Sequence, residues 1–336
     1  MRPGKLPPAL LASLLARVQP RDPRVLIGPG IGRDAAVIDT GGPKLLVAKS
    51  DPVTFATDRI GWYAVHVNAN DIACLGARPA WFLATIFLPD GAKPALARSI
   101  FRQLTEACES LEIELVGGHT EITYGLDRPL VSGAMLGEVE RDRLVRPGGA
   151  HVGDALILTK GIAIEGTSVL AREAAGQLLS IGVGTRQLTA ARKYLTDPGI
   201  SVLRDARVAG DAARVHAMHD PTEGGLATAL YEMAAASGLG VVIEEDQISV
   251  LPATRDLCTA ANLDPLGVLA SGALLIAVSD DDHGGVLSAM ADIGVGAHRI
   301  GKFVKRPGVI MVSNSRRRPV PRFERDEVAR FLSGQD

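Results

Sequence analysis

Cysteine is scarce: Cys74, Cys108 and Cys258 are the only three in 336 residues, and their spacings fit neither a disulfide framework nor a zinc site. That scarcity points to a reduced compartment, and the expected location is cytoplasmic. Charge of one sign is also missing. With 36 Lys and Arg against 38 Asp and Glu, the net charge is -2, which provides no electrostatic footprint for nucleic acid or for an anionic membrane. The one basic run, Arg316, Arg317 and Arg318 in SNSRRRPVP, reads either as a solvated turn or as a phosphate or partner contact. No apolar run approaches the length needed to span a bilayer. The opening MRPGKLPPALLASLLARV has a short apolar core with Arg17 close behind it and no small-residue cleavage site, so an amphipathic helix over Leu6–Val18 is expected rather than a leader. Short-period repeats and low-complexity tracts are absent as well.

What is present is a chain with 46% hydrophobic and 22% charged residues, enough to bury a full core in two domains. The Pro- and Gly-rich RPGGAHVG at 146–153 marks the boundary, giving domains 1–147 and 148–336. Strand-like runs alternate with helical ones throughout, so the expected class is α/β with mixed sheets. In the first half, strands are expected at Ala35–Ile38, at KLLVAKSD, at WFLATIFLP, at IELVGGHTEIT with a Gly117-Gly118 turn, and at Leu130–Val139. The second half reads as larger and more helical.

The stretch Ile60–Pro79, IGWYAVHVNANDIACLGARP, reads as one buried helix, yet Asn68, Asn70 and Asp71 interrupt it. A buried carboxylate needs a cation or several donors, and no Lys or Arg lies within a turn of Asp71. A bound metal is one answer. The other is that Asn68 and Asp71, three apart and on one helix face, cap a neighbouring loop.

Other acids stand where apolar elements end: Asp34 after the glycine-rich loop GPGIGR, Asp51 after a strand and Glu121 after the Gly-Gly pair. Gathered together, Asp34, Asp51, Asp71 and Glu121 would suit Mg²⁺ carrying nucleotide phosphates; separately, they are caps. The glycines around Gly32 precede a strand instead of following one, which rules out the dinucleotide and P-loop fingerprints. Their N–H groups could still cover a phosphate. In HDPTEGGL, Asp220, Thr222, Gly224 and Gly225 open a helix whose N-terminus suits an anion, with Asp220 or Thr222 as a plain N-cap being the alternative. His216 and His219 resemble a metal pair, but no third ligand is evident.

The segments GRDAAVI, AKSDP, NANDIACLGARP, GGHTE, DPTEGGL and ASGALLIAV, in this order over nearly the whole chain, resemble the aminoimidazole ribonucleotide (AIR) synthase superfamily. Within it, DPTEGGL and TKGIAIEG at Thr159–Gly166 look most like the hydrogenase expression/formation (HypE) proteins. The resemblance implies a two-domain PurM-like fold whose N-terminal domain pairs with a second copy into a dimeric β-barrel. It implies ATP and Mg²⁺ as cofactors, Asp34, Asp51, Asp71 and Glu121 as metal ligands, and Asp71, Lys49 and Asp220 as catalytic groups. Gly32, Asn68, Gly117, Gly118, Thr120, Thr222, Gly224 and Gly225 are then nucleotide contacts. His119 stands where relatives often carry an acid. The function implied is an ATP-dependent enzyme phosphorylating an oxygen of a small-molecule or protein-borne substrate, with Lys49 or Lys160 steadying charge. The alternatives are a hydrogenase-type maturation partner with little catalysis and a thiamine-monophosphate kinase-like enzyme. HypE proteins end in a cysteine that carries a carbamoyl group. FERDEVARFLSGQD has no thiol, so the expected acceptor is a separate molecule.

Overall fold

The computed structural model describes residues 5–18 and 20–334. They form two compact units: Pro20–Gly28 with Asp34–Leu144, and Pro29–Arg33 with the residues from Val145 onward and the described N-terminal ones. The N-terminal segment holds helix α1 (Pro8–Leu15). Trp62 and Trp81, the chain's two tryptophans, both fall in the first of these units.

That unit is built on a six-stranded sheet. In chain order its strands are β1 (Val25–Ile27), β2 (Ala36–Ile38), β3 (Lys44–Val53), β4 (Arg78–Pro89), β5 (Glu114–Thr123) and β6 (Leu130–Glu140); across the sheet they run β1-β2-β3-β6-β4-β5. Every pairing is antiparallel except β4 with β5, which are joined through α3 (Pro94–Ser110) and so run parallel. Helix α2 (Ile60–Cys74) packs on the face that buries Val131, Met135 and Phe82. The helix is shorter than the expected Ile60–Pro79. Gly76 takes a left-handed φ of 73°, which ends the helical run and lets Arg78 and Pro79 begin β4. The Gly117-Gly118 turn is also absent. Both glycines lie within β5, where the register against β4 shifts between Phe82 and Leu83, and a Cβ on Gly118 would stand 1.9 Å from the Ala84 carbonyl oxygen.

In the second unit, a seven-stranded sheet has the order β13-β12-β9-β11-β7-β10-β8. Its strands are β7 (Ala155–Thr159), β8 (Val215–His219), β9 (Gly240–Glu244), β10 (Leu275–Val278), β11 (Ala297–Val304), β12 (Gly308–Ser313) and β13 (Arg316–Pro319). The runs ALILT and LIAV carry no polar alternation because β7 and β10 sit in the middle of this sheet, buried along their whole length. Helices α4 (Ile164–Glu173), α5 (Ala175–Ser180), α6 (Thr185–Lys193), α7 (Leu203–Ala212), α8 (Gly225–Ser237), α9 (Pro252–Ala261), α10 (His283–Asp292) and α11 (Glu327–Leu332) complete the unit. The arginine run forms the exposed edge strand β13, and Arg318 reaches Glu245 at 2.7 Å.

Candidate functional site

The acid cluster of the first unit is assembled by α2 lying across β3. Asp71, 4% exposed, receives its cation from the sheet: Lys49 Nζ lies 2.9 Å from Asp71 Oδ2 and 3.5 Å from Asp51 Oδ2. Lys49 and Asp51 are two apart on a strand and therefore share a face. Burial pulls the Lys49 ammonium down, but the charges of Asp71 and Asp51, the hydrogen bond to Asp71 and the charge of Asp34 outweigh it, and the group stays above the ordinary lysine range. The burial of Asp71 thus has its counter-charge inside the chain. Three carboxylates, Asp34, Asp51 and Asp71, act on one ammonium.

Asn68 fixes the geometry. Its Nδ2 donates to the Asp51 carbonyl oxygen at 3.1 Å and to the Ala64 carbonyl oxygen at 2.8 Å. Its Oδ1 is buried with no hydrogen-bond partner among the described residues, an exposed cost that a donor or a cation would remove. Gly133, which sequence reasoning did not single out, makes this possible: a Cβ there would lie 2.5 Å from Asn68 Nδ2. The signal available was the alternation of small residues along Leu130–Val139. Carboxylate and amide oxygens gathered in this way form a donor set for a hard divalent cation.

Glu121 lies elsewhere in the unit. It is on the edge strand β5, exposed, with Oε2 3.2 Å from His119 Nε2. Strands β6 and β4 separate β5 from β3, a span of about 14 Å at ordinary strand spacing. Within one chain the structure therefore does not bring Glu121, Gly117, Gly118 or Thr120 to the Asp71 cluster.

The second unit holds the remaining expected residues. Asp220 is buried after β8, and Gly224 and Gly225 have φ values of 79° and 63° at the start of α8. A Cβ would meet Thr228 Oγ1 at 2.1 Å from Gly224 and the Leu266 carbonyl oxygen at 2.4 Å from Gly225, so both positions require glycine. The Gly224 N–H donates to Asp326 Oδ2 at 2.7 Å, so a carboxyl of the chain itself already occupies this helix N-terminus. Burial pushes Asp326 up to about 7 even though the Gly224 and Val328 N–H groups pull the other way. Burial likewise raises Glu165 to about 8 against a hydrogen bond from Ser271, with Asp220, Asp326 and Glu223 adding to the rise. Thr222 Oγ1 accepts from Lys5 Nζ at 3.2 Å, Lys5 reaches Glu232 at 3.5 Å, and His219 Nε2 lies 3.0 Å from the same carboxylate. Gly32, with φ 69°, approaches the Glu232 carbonyl oxygen so closely that a Cβ would stand 3.0 Å from it. Lys160 is committed to structure: it donates to the Ser201 and Gly272 carbonyl oxygens at 2.6 and 3.0 Å and lies 3.1 Å from Asp205.

Residues 32–139 match the AIR synthase related protein N-terminal domain, and residues 151–314 match its C-terminal domain. A hydrogenase expression/formation protein of Methanocaldococcus jannaschii is 28% identical over 305 residues, covering 86% of this chain and 87% of the relative. Carbamoyl dehydratase HypE of Rhodobacter capsulatus is 31% identical over 257 residues, covering 75% and 72%. Among solved structures, hydrogenase maturation protein HypE in complex with ATP superposes with a TM-score of 0.71 at 24% identity over 92% of each chain. With its mixed α/β, two-domain PurM-like fold, the chain belongs to the AIR synthase related family, among its HypE-like members.

Proposed function

We propose that this protein is an ATP- and Mg²⁺-dependent enzyme that activates an oxygen of its substrate by transferring phosphate to it, with the Asp34, Asp51, Asp71 and Asn68 cluster as its cation and phosphate site. The observation that carries the proposal is the make-up of that cluster: three carboxylates converge on one ammonium, beside a buried amide oxygen with no hydrogen-bond partner among the described residues. A divalent cation satisfies both. Mg²⁺ bound there would supply charge neutralisation for the phosphate oxygens. Asp34 and Asp51, the latter 36% exposed, would hold the ion, while Lys49 keeps Asp71 ionised and oriented. The ATP complex of the HypE neighbour supports the nucleotide, and the dehydratase named among the relatives supports ATP-driven chemistry at an oxygen.

The acceptor, on this reading, is a separate small molecule or a group borne by another protein. All three cysteines are buried. Burial pushes the thiols of Cys108 and Cys258 up to about 12, helped by neighbouring acids, so neither offers a thiolate to carry a carbamoyl group.

The working unit on this account is a homodimer. The edge strand β5 leaves Val116 54% and Ile122 63% exposed, with Tyr124 at 92% just beyond it, and a free edge of this kind is normally covered. Pairing with a second copy would also give His119 and Glu121 a neighbour that one chain does not supply.

Mg²⁺-dependent release of ADP, stimulated by a carboxylic acid or amide acceptor and lost in Asp51→Asn, is the expected result. Nucleotide binding without turnover in the presence of every acceptor would instead favour a maturation partner that keeps the fold and little catalysis.

A further inference from the structure

A second cluster, in the unit that holds the residues from Val145 onward, shares no residue with the acids around Asp71. His151, Asp154 and His216 bring one ligand atom each to within 4.8 Å of one another. His216 Nδ1 lies 2.8 Å from Asp154 Oδ2 and 3.2 Å from His151 Nδ1, and the two rings meet edge to face. The His151 main-chain N–H donates to the same Asp154 oxygen at 2.7 Å.

A ring nitrogen carries either a proton or a lone pair in its plane, not both. As a plain hydrogen-bonded cluster, one His216 Nδ1–H would have to be shared between the Asp154 carboxylate and a His151 Nδ1 lone pair. A cation placed between the three atoms meets a lone pair from each of them instead.

The backbone holds this convergence in place. The turn closes through the Asp154 N–H to the His151 carbonyl oxygen at 3.1 Å, with Gly153 at φ 97°. It is pinned to β11 by the Gly153 N–H to the Phe303 carbonyl oxygen at 3.0 Å and by the Phe303 N–H to the Asp154 carbonyl oxygen at 2.9 Å. On the other side, Gly149 approaches β8 so closely that a Cβ would stand 2.2 Å from the His216 carbonyl oxygen. Asp154 is buried, His216 partly buried and His151 exposed, so the site is anchored on two sides and open on the third.

We propose that His151 Nδ1, His216 Nδ1 and Asp154 Oδ2 form a binding site for a divalent transition-metal ion of the Zn²⁺ type, with an open fourth position on the side of His151. Nitrogen and carboxylate donors without a thiolate suit zinc and its neighbours in the first row. Bonds of about 2.0–2.1 Å in a tetrahedral site place ligand atoms about 3.3 Å apart. The 3.2 Å separation already matches that edge, and the 2.8 Å one needs to open by about half an ångström.

The test uses the full chain without an affinity tag, stripped with EDTA, dialysed against Zn²⁺ and measured by elemental analysis and calorimetry. One tightly bound zinc per chain is expected, with Co²⁺ giving the visible absorption of a tetrahedral site. His151→Gln should weaken binding by at least about a hundredfold, more than the loss of an outer-shell partner costs. His151 is exposed, so this variant should unfold like the wild type in EDTA, and Asp51→Asn should bind zinc normally. Absence of stoichiometric zinc on the wild type, or undiminished binding by His151→Gln, would overturn the assignment. Loss of the site in Asp51→Asn, with His151→Gln unaffected, would place the ion in the acid cluster and overturn it equally.

Discussion

Replacing Lys49 with methionine keeps most of the stem volume and removes the ammonium that pairs with Asp71. Two contacts are lost, and they differ in weight. The 3.5 Å approach to Asp51 is to a carboxylate 36% exposed, so solvent and salt screen it and its loss costs under about 1 kcal/mol. The 2.9 Å contact is to Asp71, 4% exposed, and removing one partner of a buried pair leaves an uncompensated charge at about 3–5 kcal/mol. Because Lys49 is itself 20% exposed, water can partly enter in its place, and a total of about 2–4 kcal/mol follows. Asp71→Asn in the same background should recover about half of this, since the amide carries no charge to strand. The deficit should also depend on pH. A buried Asp71 that has lost the Lys49 charge binds its proton more tightly than it does in the wild-type fold, so the penalty is absent once the carboxyl is protonated at low pH and grows as pH rises through its titration. Trp62 and Trp81 both lie in this unit, so tryptophan fluorescence during urea unfolding reads its transition directly. A Lys49→Met protein within about 0.5 kcal/mol of wild type at pH 7, or a double variant that is simply additive, would refute the pairing argument.

Glu165, held at about 8 by burial, keeps a proton that the unfolded chain releases near 4.5, so the wild type loses stability as pH rises between those values. Glu165→Gln has no such loss; in the absence of ligand it should be more stable by on the order of 5 kcal/mol above pH 8 and equal to wild type near pH 4, as read by calorimetric unfolding. Gly225→Ala meets a left-handed φ and the Leu266 carbonyl oxygen together and should cost at least about 2 kcal/mol in the same experiment. Sedimentation at micromolar concentration should give a dimer that Ile122→Asp weakens; a wild-type monomer would contradict the covered edge. Incubation with a carbamoyltransferase, carbamoyl phosphate and ATP should leave the intact mass unchanged, whereas an ATP-dependent loss of water from a carbamoylated cysteine would show the acceptor to be the chain itself.

The sequence was informative wherever burial and local chemistry determine the outcome. The buried runs of β7 and β10, the polar break in α2 and the glycines of DPTEGGL were all legible, and Asp71 is buried and charge-paired as its context requires. What could not be read was which element would supply the partner. Lys49 sits on the strand before the helix, outside the one-turn window in which helix neighbours are counted, and only packing of α2 on β3 brings it to Asp71. The same limitation hid the third ligand of His216. His216 and His219 are three apart on a strand whose register against β10 shifts at His216, and they meet different partners. The partners of His216 come from the Pro- and Gly-rich segment that read as a linker, whereas His219 pairs with Glu232. Gly117-Gly118 misled for another reason: glycine pairs mark bulges in edge strands as readily as turns, and only the pairing with β4 distinguishes the two.

If the acids around Lys49 hold the cation that carries ATP, titration of ATP into the protein by calorimetry, with Mg²⁺ and then with EDTA, reads that role out. The account predicts Mg²⁺-dependent binding that is weakened at least about tenfold in Asp51→Asn, a partly exposed position where the fold should be unaffected, and lost in Asp71→Asn. Unchanged Mg-ATP affinity in both variants would contradict it and reduce the cluster to an internal ion pair with its caps.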